Sequence, residues 1–105
     1  MIFVEAPTFE RVRERYLDDD QYRLLQAALT SNPESGDLIR GSGGIRKVRW
    51  NERGKGKRGG LRVIYYLITR RHHVLMLTVY RKSEVSDLTP GEVKALRGLV
   101  ESLED

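Results

Sequence analysis

Apolar residues along this chain change their spacing from one segment to the next, and each change marks an element. The β-prone run from Ile2 to Ala6 is closed by Pro7 and predicts a strand. Beyond it Phe9, Val12 and Tyr16 recur at helical spacing with Glu and Arg between them, which predicts a first helix. Asp18, with Gln21 three residues on, has the form of an N-cap, since a carboxylate there accepts from free backbone N–H groups. Tyr22, Leu25, Ala28 and Leu29 would then be the apolar stripe of a second helix ending at Asn32-Pro33.

The spacing next switches to strands. Residues 45–50, 61–69 and 74–80 are rich in Val, Ile, Leu and Tyr, and Arg70-Arg71-His72-His73 reads as a hairpin connection between the last two. A final helix is signalled by Thr89 as N-cap, Pro90 at its first position, Glu92 closing a capping box, and Leu88 with Val93 as a hydrophobic staple. Val93, Leu96, Val100 and Leu103 would be its buried stripe.

The order β, α, α, three strands, α predicts an α+β fold: a small, mostly antiparallel sheet packed with two N-terminal helices and a C-terminal helix. Tight connections between the last three strands leave no room for parallel crossovers. At 105 residues the chain makes one domain, 1–105, with no space for a separate cofactor domain and no internal repeat.

The formal charge of +4 is modest, but its distribution is not. Residues 40–62 hold nine basic side chains against Glu52 alone, a net +8, and the remainder nets −4. Seven of the ten glycines fall between Gly41 and Gly60. A charged, glycine-rich stretch is either a solvated loop or a surface for a polyanion, and the run by itself favours neither.

Several chemistries are excluded. Without cysteine there is no disulfide framework, thiol nucleophile or thiolate zinc site, which fits the cytoplasm. The apolar N-terminus is too short for a signal peptide and no run approaches a membrane span, so a cytoplasmic protein without membrane contact is expected. Gly54-Lys55-Gly56-Lys57-Arg58-Gly59-Gly60 lacks the spacing and hydroxyl of a phosphate-binding P-loop and precedes a strand rather than a helix. His72 and His73 are adjacent and have no third and fourth ligand, so no metal or cofactor is expected. No local signature of a Ser-His-Asp triad is present.

Three cations flank the β-runs: Arg49 beside Trp50, Arg62 ahead of Val63-Ile64-Tyr65-Tyr66, and Lys82 after Tyr80-Arg81. Antiparallel neighbours could bring all three onto one sheet face. Trp50, Tyr65, Tyr66 and Tyr80 could stack on unpaired bases, and Arg46, Lys55, Arg58 and Arg81 could hold the backbone, a composition suited to single-stranded RNA.

The segments Ile45–Trp50 and Gly54–Tyr66, with Tyr80-Arg81-Lys82-Ser83-Glu84 and Asp87-Leu88-Thr89, resemble the RelE-superfamily toxins, most closely their HigB-type branch. The resemblance implies a RelE-like microbial ribonuclease fold. It also implies the toxin half of a bacterial type II toxin–antitoxin pair, cleaving mRNA in the A site of the 30S ribosomal subunit against mRNA and rRNA. A cognate antitoxin with a helix-turn-helix DNA-binding part would silence it. Carried over by position, Arg62 contacts the scissile phosphate, and Lys82 matches the cation after the last strand. Lys47 and Arg49 are the paired basic residues of the preceding strand, and Lys57 is the loop candidate. The family's aromatic group near the C-terminus has no counterpart beyond Tyr80, so the general acid is unassigned.

Metal-free cleavage has the ribose 2′-OH attack the adjacent phosphate, and Arg62 and Lys82 would neutralise the charge that develops. Crowding of like charges favours a neutral lysine, which offers Lys57 or Lys47 as base. Two other readings use the same residues: a non-catalytic RNA- or ribosome-binding module, and a gyrase poison like the related ParE branch.

Overall fold

In a computed structural model, which describes residues 1–51 and 60–104, the elements run in the predicted order. Strand β1 (Ile2–Glu5) leads to helices α1 (Pro7–Tyr16) and α2 (Asp19–Ser31). Strands β2 (Asp37–Leu38), β3 (Ile45–Trp50), β4 (Leu61–Ile68) and β5 (His73–Arg81) follow, and α3 (Pro90–Glu104) closes the chain. The five strands form one sheet in the order β1-β5-β4-β3-β2. It is mostly antiparallel, with β1 joining β5 as its parallel member.

Local chemistry sets the helix ends. Asp18 Oδ1 accepts from the Gln21 N–H at 2.7 Å. At α3 the reciprocal capping box is complete: Thr89 N–H donates to Glu92 Oε1 at 2.8 Å, and Glu92 N–H donates to Thr89 Oγ1 at 3.1 Å. The connection between β4 and β5 is tighter than a plain loop. Residues Thr69–Arg71 form a 3-10 turn, His72 adopts a left-handed φ of 55°, and His73 already belongs to β5.

Helices cover both faces of the sheet. On one side Phe9 of α1 and Tyr22, Leu25 and Leu29 of α2 pack on Leu61, Val63, Tyr65, Val74, Met76 and Val79. On the other, Leu96 and Val100 of α3 pack on Ile45, Ile64, Ile68, Leu75, Leu77 and Tyr80. Two helical stripes are narrower than expected: Ala28 of α2 and Leu103 of α3 face solvent. Strand β2 has no sequence signature. Its two residues are fixed by pairing Asp37 with Lys47 and Leu38 with Arg46.

The β4–β5 ladder contains an irregularity that decides which side chains share a face. Ile64 pairs with Thr78 but the next residue, Tyr65, pairs with Met76, so Leu77 is an extra residue on β5. Before it, even-numbered Val74 and Met76 face α1 and α2; after it, odd-numbered Val79 does, and Tyr80 turns to the α3 side.

Candidate functional site

The central strands build an open cleft of about 210 Å³ at the end of the sheet where β3, β4 and β5 meet the segment leading into α3. Lys47 and Arg49 come from β3, Arg62 from β4, Tyr80 from β5, Lys82 from just beyond it, and Ser86 and Asp87 from the segment before α3; Asp37 of β2 completes the wall. Simple alternation puts Lys47 and Arg49 on the side of Ile45, and Arg62 on the side of Ile64. The bulge brings Tyr80 to join them.

Arg62 is the unusual member. It lies on a central strand at 7% exposure, with its guanidinium Nη1 donating to the Leu61 carbonyl at 3.1 Å. Arg49 stands opposite Arg62 in the β3–β4 register, and Tyr80 opposite it in β4–β5. Lys82 is exposed, and its backbone N–H donates to Gly60 O at 2.9 Å, which extends the ladder to the cleft's rim.

Carboxylates temper the cations. Asp87 Oδ1 accepts from the Leu88 N–H at 2.9 Å and stands 3.4 Å from Lys47 Nζ. That backbone bond first, and then the Lys47 ammonium, hold its carboxyl below the usual carboxylate range. Burial above all, with Asp87 and Glu92 adding to it and Arg62 opposing, raises the Tyr80 phenol above its ordinary value. The crowd of like charges expected around Lys47 is therefore relieved by an ion pair.

Several residues expected at an RNA surface are placed elsewhere. Tyr65 is fully buried on the α1–α2 side, its hydroxyl donating to Pro33 O at 2.7 Å and accepting from Gly36 N–H at 3.0 Å, so its ring cannot stack on a base. Trp50 packs on the same side and donates its indole N–H to Gln21 Oε1 at 3.2 Å. Arg46 clamps the turn after α2, donating to Glu34 O at 3.1 Å and Gly36 O at 2.8 Å. Arg81 lies over the Tyr16 ring at 5.1 Å and pairs with Glu84 at 3.2 Å, on the face opposite the cleft. Tyr66 shares the cleft's face but packs beneath α3, its hydroxyl 3.4 Å from Glu104. Tyr80 is in the cleft, yet at 7% exposure its ring is part of the core and not a stacking platform. Lys55, Lys57 and Arg58 lie outside the described residues.

Sequence reasoning passed over Asp37 and Ser86 as site residues and took Asp87 only as part of a run. Asp37 carries no local signal, because it reaches the cleft through a two-residue strand. Among the described residues no helix is long and apolar enough to cross a membrane, and no group of three His, Asp or Glu side chains could hold a metal ion.

The family described as the RelE toxin of the RelE / RelB toxin-antitoxin system matches residues 2–105. Among solved structures, a doubly substituted E. coli RelE in the free state is similar at a TM-score of 0.59 and 15% identity, covering 97% of this chain and 96% of that one. The intact E. coli RelBE toxin–antitoxin complex contains a chain similar at 0.54 and 18%, covering 76% of this chain and 94% of its own. These likenesses are of fold.

Proposed function

The chain belongs to the RelE toxin family, and on that premise we propose that it is a ribosome-dependent mRNA endoribonuclease, of the HigB-type branch, that arrests translation until its cognate antitoxin binds. The observation that carries the reading is the convergence of Lys47 and Arg49 from β3, Arg62 from β4 and Lys82 from just beyond β5 on one cleft with a buried guanidinium. Four cations on one face of the sheet make a concentrated positive surface suited to an anion. A phosphodiester in transit to a pentacovalent state is such an anion.

In this reading the 2′-oxygen of the upstream ribose attacks phosphorus and the 5′-oxygen of the downstream nucleotide leaves, giving a 2′,3′-cyclic phosphate. Arg62 and Lys82 stabilise the extra charge on the non-bridging oxygens. Lys47, paired with Asp87, serves as a neutralising cation, and the 2′-OH proton is assigned to Lys57. The ribosome supplies the in-line geometry, a term worth up to about 7–11 kcal/mol in well-oriented systems. The antitoxin, with a helix-turn-helix DNA-binding part, restrains the toxin in the bacterial cytoplasm.

Expression of the chain in bacteria, with and without Arg62→Ala, tests the proposal when growth is scored and mRNA ends are mapped. Growth arrest with new ends inside translated reading frames, lost in the variant, is the expected result. Arrest without new ends points to the binding-module reading, or to the gyrase-poison reading where DNA breaks accompany it.

A further inference from the structure

Tyr80 is a cleft residue without a part in that scheme. Its ring is enclosed by the α3-side cluster and lines both the cationic cleft and an apolar cavity of about 270 Å³ formed with Thr8, Val85, Leu88 and Leu96. A ring held this way offers nucleic acid no face. It offers a phenol, set in register beside Arg62. The charged groups around it come from every neighbouring element: Arg62 on β4, Asp87 before α3, Glu92 on α3, and, across the cleft, Lys82, Lys47, Arg49 and Asp37.

We propose that Tyr80 is the general acid of the cleavage, its hydroxyl protonating the departing 5′-oxygen. The inference rests on the cleavage reading above. As the 2′-oxygen bonds to phosphorus and gives up its proton, the P–O5′ bond breaks and its electron pair remains on O5′. That oxygen takes the phenol proton, leaving a 5′-OH product and a phenolate that water later reprotonates. An alkoxide is more basic than a phenolate, so the transfer runs downhill. Burial, Asp87 and Glu92 favour the protonated phenol before reaction, and neighbouring Arg62 offsets the charge that forms on its oxygen afterwards.

The test uses Tyr80→Phe, which keeps the ring in the core, and two model mRNAs placed in the ribosomal A site. One has the ordinary scissile linkage; the other has sulfur in place of the bridging 5′-oxygen, a leaving group that departs without protonation. On the ordinary mRNA, single-turnover cleavage by Tyr80→Phe should fall by about 10²–10⁴-fold. On the sulfur-bridged mRNA, variant and parent should cleave at matching rates, whereas Arg62→Ala should be slow on both. Equal losses of Tyr80→Phe on the two substrates would make Tyr80 a packing residue and overturn the proposal, as would sulfur rescue of Lys82→Ala in its place. A parent protein that leaves both substrates whole would overturn the cleavage reading itself.

Discussion

Arg49 and Arg62 stand directly opposite each other on β3 and β4, two cations on the same face of neighbouring strands. Like charges in that position work against the sheet by roughly 0.2–1 kcal/mol. Setting Arg49 opposite Arg62 is a cost to the sheet that a bound phosphate would offset. Arg49→Thr should raise the urea midpoint, by several tenths of a kcal/mol in stability, while slowing mRNA cleavage. A variant that is less stable than the parent would show that the pair is bridged by the protein and not held for a phosphate.

Arg62→Lys separates chemistry from binding. A binding module needs only the positive charge, whereas a site that uses the planar guanidinium fork to hold two phosphate oxygens loses it. Cleavage should drop by about 10²–10³-fold with ribosome association nearly unchanged, as cosedimentation and end-mapping on the same preparation would show. Undiminished cleavage would remove Arg62 from the proposed role.

Tyr65 is assigned to the scaffold, and Tyr65→Phe checks it. Removing the hydroxyl strands a carbonyl at Pro33 and an N–H at Gly36, a cost of about 1–3 kcal/mol. Gly36→Ala should act in the same direction, since a Cβ there would lie 2.9 Å from the Tyr65 ring and 3.1 Å from the Lys47 backbone carbon. Both variants should melt earlier, and Tyr65→Phe should cleave at the parental rate well below its melting temperature.

Alkaline pH should unfold the protein through its buried phenols. Burial, with the Glu5 carboxylate nearby, raises Tyr22 strongly above its ordinary value, and Tyr66 and Tyr80 are raised too. A folded-state value above the unfolded one means that the native state holds the proton longer. The stabilisation is then complete below the unfolded-phenol range near about pH 10 and is lost as pH rises beyond it. Chemical melts should show a plateau up to about pH 9 and a decline above about pH 10, with a shallower decline in Tyr22→Phe.

The parts of this molecule that could be read in advance are those whose causes are local. Thr89, Pro90 and Glu92 dictate the start of α3 by bonds made within one turn, and the chain obeys. β2 could not be read, because Asp37 and Leu38 are extended only through what they pair with. Arg49, Arg62 and Lys82 gather on one side as antiparallel neighbours would allow. Tyr65 illustrates a signal present but unused: alternation along β4 already sets residues 61, 63 and 65 against residues 62, 64 and 66, so Arg62 and Tyr65 could not share a face. Arg81 and Tyr80 are different, since their sides are decided by an extra residue that no local pattern announces.

That extra residue, Leu77, divides β5 into two stretches of opposite phase. The first half of the strand is timed to the core and the second half to the cleft, and neither could be slid past the other without exchanging their faces. Straightening the strand with all its residues kept would swing Arg81 inward and carry Tyr80 and Lys82 toward α1, whereas deleting Leu77 would close the ladder with Thr78 still opposite Ile64 and Tyr80 still opposite Arg62. The irregularity in this strand is therefore as much a part of the site as the identity of its residues, because only with one residue left out of the ladder does this sequence turn Tyr80 and Lys82 to the cleft.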